Sequence, residues 1–323
     1  MDITIIISGN LILDYQSETT SLSKMITCGN TEFSDQNLLE LLFGFFGIKT
    51  DLKADLPVAA ITAQVDLADS SDQNLLRADP VIMKADMTSL RLFDSQYFSL
   101  ESEVMLKIIS RLNALLEEDN LKITCGENPH RWYIGLKKSP AIITSSPGDA
   151  NGQDAREFLP RGDDSKFWIR LMNEIQMILF DISNQEDQEN LPINSLWFWG
   201  AGEVPDLKNC LFDSVLSNDV NAAGLAKRAK IPCYSIAENF QENLDQCKDD
   251  KKILIVLSQG DIAISSFDPF KQVTWLGEME SNIFHPIFRL VKKRKIKHLK
   301  IISEDQYCSL KPIHLYRFWH KKI

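Results

Sequence analysis

The side chains that could do chemistry in this 323-residue chain are few and scattered. Five histidines (His130, His285, His298, His314, His320) stand far apart, with no His-Glu-x-x-His to set two ligands on one helical face. Six cysteines (Cys28, Cys125, Cys210, Cys233, Cys247, Cys308) show no Cys-x-x-Cys spacing, so neither a zinc ribbon nor a compact disulfide framework is expected. There is no P-loop and no Gly-x-Ser-x-Gly elbow for a nucleophilic serine. One stretch concentrates unusual residues: Asn194-Ser195-Leu196-Trp197-Phe198-Trp199-Gly200-Ala201-Gly202. The apolar run reads as a buried strand, and the glycines can take positive φ or let the backbone approach a ligand. The third glycine of a dinucleotide fingerprint is absent, so the motif marks a candidate site without naming a reaction.

The elements that must position such a site follow from periodicity. Leu38 to Phe43 is leucine-dense and helical, and Val58 to Thr62 reads as a short strand. Leu90 to Asp94 and Arg131 to Leu136 read as strands, and a long amphipathic helix starts near Ser99. The Gly/Pro-rich interval from about Ser145 to Asp164 is the best linker candidate. A helix follows with Trp168, Leu171, Met172, Ile175, Ile178 and Leu179 in its stripe. Ile253 to Leu257 is the all-apolar pentad of a central parallel strand, and Leu299 to Ser303 is similar. Strands alternating with helices predict an α/β fold.

With 44% hydrophobic and 25% charged residues, the chain has the composition of a globular protein. A net charge of −10 argues against nucleic acid as a partner, because phosphate repels such a surface. The basic run from Lys292 to Lys300 is read as the solvated end of a helix. Met1 to Ile7 has no cationic lead and is too short to span a membrane, so a cytoplasmic protein without membrane contact is expected.

The helix Leu171 to Leu179, Asn184 and a Trp-containing strand run into Trp199-Gly200-Ala201-Gly202-Glu203-Val204-Pro205-Asp206-Leu207. That order of parts, from about Asp163 to the end, resembles the archaeal-type cofactor-independent phosphoglycerate mutases of the alkaline phosphatase superfamily. Weaker similarity covers Asp79 to Leu136. Leu76-Arg77-Ala78-Asp79-Pro80 and Asn194 to Gly200 resemble a bacterial branch labelled phosphoglycerate mutase or RpfE-type regulatory protein. The resemblance implies a core of residues 1–78 and 163–323, with a mostly parallel sheet flanked by helices, and a smaller inserted α/β domain at 79–162.

The family's chemistry needs two metals held by Asp and His and a serine that accepts the phosphoryl group. Carried over, the metal positions here are Asp261, Asp305 and His314, while Val256 and Ser265 stand at two histidine places and Gln306 at another. Asp187 stands where the family has a substrate-binding arginine, and a carboxylate there repels phosphate. Arg77, Arg131, Asn194, Trp199, Gly200 and Gly202 are the expected ligand-binding residues, placed between the two domains, with Arg131 as a bidentate anion contact and Asn194 as a neutral donor.

This pattern implies a catalytically degenerate protein that binds a small anionic or phosphorylated metabolite or regulates, with no cofactor. The alternative is a metal-dependent phosphomutase, phosphatase or isomerase, using manganese or zinc. A third reading, a partner-binding subunit, rests on the basic run and the Phe318-Trp319 tail. The oligomeric state is left open.

Overall fold

The computed structural model describes residues 1–8, 20–49, 54–68, 74–185, 191–203, 205–207, 210–236, 240–247, 250–258 and 277–316. They form two compact units, Met1–Lys49 with Leu207–Ile323, and Thr50–Asp206. Helices and strands are numbered here in chain order through both units. The helices used below are α1 (Ser21–Cys28), α2 (Leu38–Phe45), α3 (Val58–Asp66), α4 (Ser102–Leu116), α5 (Ser165–Gln185), α6 (Val220–Ala229), α7 (Phe240–Gln246) and α8 (His285–Lys292).

The first unit holds β1 (Asp2–Ile7), β2 (Asn30–Phe33), β8 (Ser214–Ser217), β9 (Cys233–Tyr234), β10 (Lys252–Leu257), β11 (His298–Ile302) and β12 (Gln306–Leu310). They form a seven-stranded sheet in the order β2-β12-β11-β1-β10-β8-β9. Five strands from β11 to β9 are parallel, and β12 and β2 close one side antiparallel. The apolar pentad is β10, central between β1 and β8, because only a strand covered on both faces tolerates that composition. Ile3, Ile5 and Ile7 turn to one face and are buried with Leu22 and Met25 of α1 and Ile287 and Val291 of α8. The N-terminus of α1 is capped twice: Thr20 Oγ1 accepts from Ser23 N at 3.1 Å, and the distant Glu280 carboxylate accepts from Ser21 N at 2.6 Å. The basic run leaves α8 through Arg294, at φ 57°, and enters β11, with Ile296 as its buried anchor.

The second unit is a five-stranded antiparallel sheet of β3 (Asn74–Ala85), β4 (Leu90–Phe93), β5 (Ile123–Cys125), β6 (Trp132–Leu136) and β7 (Ser195–Gly202). Long β3 is its axis: β7 pairs along one edge, and β6 then β4 along the other. Ile108, Leu112 and Leu116 recur every four residues on one side of α4 and bury with Trp168, Leu171 and Ile175 of α5 in one core.

Three expectations are corrected. The core boundary expected at residues 78 and 163 falls instead near 49 and 207, because the aromatic strand pairs with β3, not with the parallel sheet, and brings α5 with it. Val58 to Thr62 is the start of α3, not a strand: it is buried nearly all round, so it shows no helical stripe in sequence. The interval from Ser145 to Asp164 is not a linker. A Ser146–Asp149 capping box opens a helical turn, and bridges Arg91–Asp154, Leu92–Asn151 and Ile143–Arg161 tie the segment down. Among the described residues no helix is long and apolar enough to cross a membrane.

Because Thr50–Asp206 is continuous and carries its own core, the fragment 50–206 should fold alone. Its urea unfolding should follow one cooperative transition; a fragment without near-ultraviolet circular dichroism would contradict this.

Candidate functional site

The strand that carries the Gly-x-Gly motif builds its surroundings through register. Arg77 of β3 lies opposite Tyr133 of β6 and Trp199 of β7, and Asp79 shares its face two residues on. The Arg77 guanidinium stands 5.2 Å from the ring centres of both Tyr133 and Trp199. It donates from Nε and Nη2 to the Asp79 carboxylate at 2.9 and 2.8 Å, and from Nη1 to Thr62 Oγ1 of α3 at 3.3 Å. Trp199 Nε1 donates to Asp79 Oδ2 at 2.7 Å. Both members of the pair are buried, at 4% and 7% exposure. Burial pushes the Asp79 carboxyl up, and the Arg77 charge and the Trp199 N–H pull it back.

Arg131 has an equally committed partner. Its Nε and Nη2 both donate to Asp66 of α3 at 2.6 Å, and Tyr133 Oη lies 2.5 Å from the same carboxylate. Burial raises the Tyr133 hydroxyl, Arg77 opposes this and Asp66 adds to it, so the phenol remains a donor. Asn194 is exposed and forms a closed pair with the β3 backbone: its side chain accepts from Met83 N at 2.7 Å and donates to Met83 O at 2.8 Å.

The glycines are needed for close approach. Gly200 has φ 66°, and a Cβ there would lie 2.9 Å from Val58 Cβ; one on Gly202 would lie 2.6 Å from Pro57 Cβ. Gly200 N donates to Thr144 Oγ1 at 3.1 Å. Asp55, two residues before Pro57, accepts from Thr144 N at 2.8 Å and from the Thr144 hydroxyl, and the N–H groups of Gly200 and Ala201 also stabilise its charge. Burial nevertheless raises the Asp55 carboxyl. The loop thus holds an anion supplied by the chain itself. Sequence reasoning missed Asp55, Asp66 and Thr62; Asp-x-Pro before a Gly-x-Gly partner far downstream carries no spacing signal.

In the first unit, the carboxyl ends of the parallel strands present Ser8 after β1, Ser258 after β10, Ser217 at the end of β8 with Asn218 after it, and Ser303 after β11. This is the edge where open α/β sheets bind ligands. Asp219, next in line, caps α6 by accepting from Asn221 N and Ala222 N. Asp305 accepts from Ser303 Oγ at 2.6 Å, and His314 is buried beyond the far end of β12. Asp305 precedes β12 and His314 follows it, with the five residues of the strand between them. Asp261 lies outside the described residues. Among the described residues no three His, Cys, Asp or Glu side chains converge.

Comparison with known proteins gives a partial likeness. No family model matches the chain. A probable 2,3-bisphosphoglycerate-independent phosphoglycerate mutase of Geobacter sulfurreducens is 36% identical over 102 residues, 31% of this chain and 26% of that protein. A 2,3-bisphosphoglycerate-independent phosphoglycerate mutase of Methanosarcina barkeri is 26% identical over 139 residues, 40% of this chain and 34% of that protein. The matches thus span only about a quarter to a third of these relatives' length. The structure of the PH0037 protein from Pyrococcus horikoshii aligns with a TM-score of 0.57 at 12% identity, covering 96% of this chain and 87% of that one. The chain has weak sequence similarity to cofactor-independent phosphoglycerate mutases, and a mixed α/β fold with a mostly parallel sheet and a separate antiparallel one.

Arg77→Ala would strand the Asp79 carboxylate and should cost about 3–5 kcal/mol in urea unfolding, whereas Arg77→Leu with Asp79→Leu should recover most of that loss. Equal losses would contradict the pairing argument. Asp94 tests burial without an ion pair: desolvation raises its carboxyl, the Gln96 N–H opposes, and Asp79 adds to the rise. The folded chain therefore holds this proton more tightly than the unfolded one, and stability is lost as pH rises above about 4 through the raised value. Asp94→Asn, which keeps the acceptor for Gln96 N, should raise Tm near neutral pH, with the gain vanishing toward about pH 4. A gain independent of pH would contradict it.

Proposed function

We propose that this chain is a phosphoglycerate-mutase-like protein whose two-metal phosphoryl-transfer centre has been dismantled, leaving a frame with a cytoplasmic ligand-binding or regulatory role. The supporting observation is what has become of the charged groups. Divalent metals held by carboxylate and imidazole would neutralise charge on attacking and leaving oxygens. Here the described carboxyl edge is mostly serine hydroxyls and an asparagine amide, poor substitutes for carboxylates toward a divalent ion, while Asp219 is taken up by the cap of α6 and Asp305 by Ser303 Oγ. The two arginines that could clamp a phosphate are bidentate to Asp79 and Asp66.

The small anionic or phosphorylated metabolite proposed as ligand would bind at this carboxyl edge beside Asn218, where the Ser217 and Ser303 hydroxyls already donate to Val256 O and to Asp305. Such a role is that of the RpfE-type regulatory branch.

Purified full-length protein should show no turnover of phosphoglycerates or of an aryl phosphate, with or without added manganese or zinc, and calorimetry should find no tight stoichiometric metal. Metal-dependent turnover together with tight binding would overturn the reading in favour of a metal-dependent phosphomutase or phosphatase.

A further inference from the structure

The two faces of the seven-stranded sheet differ in chemistry. The Ile3–Ile5–Ile7 face is apolar along β1, β10 and β11. On the other face Asp2 sits between Lys252 of β10 and His298 of β11 in one cross-strand row, and Thr4 sits beside Lys300 in the next. A parallel sheet normally carries apolar residues on both faces, and these same strands do so further along, at Ile6, Leu254, Val256 and Ile302. The polar rows are confined to the amino-terminal ends of the strands, away from the carboxyl edge described above.

They line a cavity of about 150 Å³ together with Phe45, Leu211 and Phe212. The Phe45 and Phe212 rings meet edge to face, with centres 5.4 Å apart. An engineered apolar cavity of about this size takes up benzene. Here the apolar wall faces charge. Among the described residues neither lysine ammonium makes an ion pair. His298 Nε2 lies 2.8 Å from Ser309 Oγ, which fixes the ring. Two lysines stand against Asp2 in the lining, and the Asp213 carboxylate at the margin is held by the backbone N–H groups of Lys251 and Lys252 at 2.9 and 2.8 Å.

We propose that this cavity binds a small monocarboxylate with a compact aryl or branched apolar body. The body packs against Phe45 and Phe212, and the carboxylate lies on the side of Lys252, Lys300 and His298. A phosphate monoester dianion fits less well, because Asp2 opposes its second charge. A neutral isostere loses the charge-assisted contacts.

The test uses the full chain with benzoate, phenyl phosphate and benzamide as probes, titrated by calorimetry and by the rise in Tm with ligand concentration. Benzoate should bind at least tenfold more tightly than either of the others. The Lys252→Gln/Lys300→Gln double variant should lose that preference. Leu211 is 51% exposed, so Leu211→Glu should leave the fold intact while weakening benzoate at least tenfold through repulsion. Equal binding of benzamide, tighter binding of phenyl phosphate, no binding of benzoate, or an undiminished benzoate response in correctly folded Leu211→Glu would each overturn the assignment.

Discussion

The buried pair Arg77–Asp79 is the constraint around which the second unit is arranged. A guanidinium at 4% exposure is tolerable only if its charge and its donors are met. Asp79 meets the charge in a bidentate geometry, Thr62 takes a further N–H, and the faces of Tyr133 and Trp199 cover the plane. Three of these partners come from three other elements: α3, β6 and β7. Satisfying one side chain of β3 therefore specifies the register of both neighbouring strands and the seating of a helix. A slip of one residue would turn Arg77 toward the opposite face, into the apolar core where Phe198 and Trp168 meet edge to face with centres 5.1 Å apart.

The same logic recurs at the Gly-x-Gly loop. Backbone N–H groups beside a positive-φ glycine form a natural seat for an anion. Here Asp55 takes that seat, and the two glycines let Pro57 and Val58 approach β7. The features that look from sequence like ligand apparatus, an aromatic strand, two glycines and two arginines, become one internally satisfied network. Its parts hold α3 onto the antiparallel sheet. The likeness to phosphoglycerate mutases therefore bears on the frame, and these residues bear first on its stability.

Part of this is visible in the sequence, and the rest is hidden for definite reasons. Ile253 to Leu257 can be read as a central parallel strand because a strand so uniformly apolar is stable only with both faces covered, and β10 lies there. The stripe Trp168, Leu171, Met172, Ile175 and Leu179 announces α5, since Met177 and Phe180 on its other side are exposed and the burial keeps a helical period. The aromatic strand is legible as buried but not as antiparallel, because burial on both faces gives the same composition in either kind of sheet. Val58 to Asp66 is opaque because a helix packed on nearly every side loses its periodicity. The ion pair Arg131–Asp66 and the contact Asp55–Thr144 join residues 65 and 89 positions apart, and nothing local foretells them.

The first unit shows the converse, a fold that is conventional with chemistry that is not. Its parallel strands end in Ser8, Ser258, Ser217 and Ser303, small hydroxyls at the positions where such sheets generally place their working groups. Its cations stand at the other end of the same strands, where Lys252, His298 and Lys300 interrupt a face that should be apolar. Lys252 is exposed, and His298 and Lys300 are half-buried, so water still reaches these charges. Asp2 within the row and Asp213 at its margin offset part of that charge. Charge at these partly open rows costs the fold little, so its meaning lies in what the rows contact and not in the stability of the sheet.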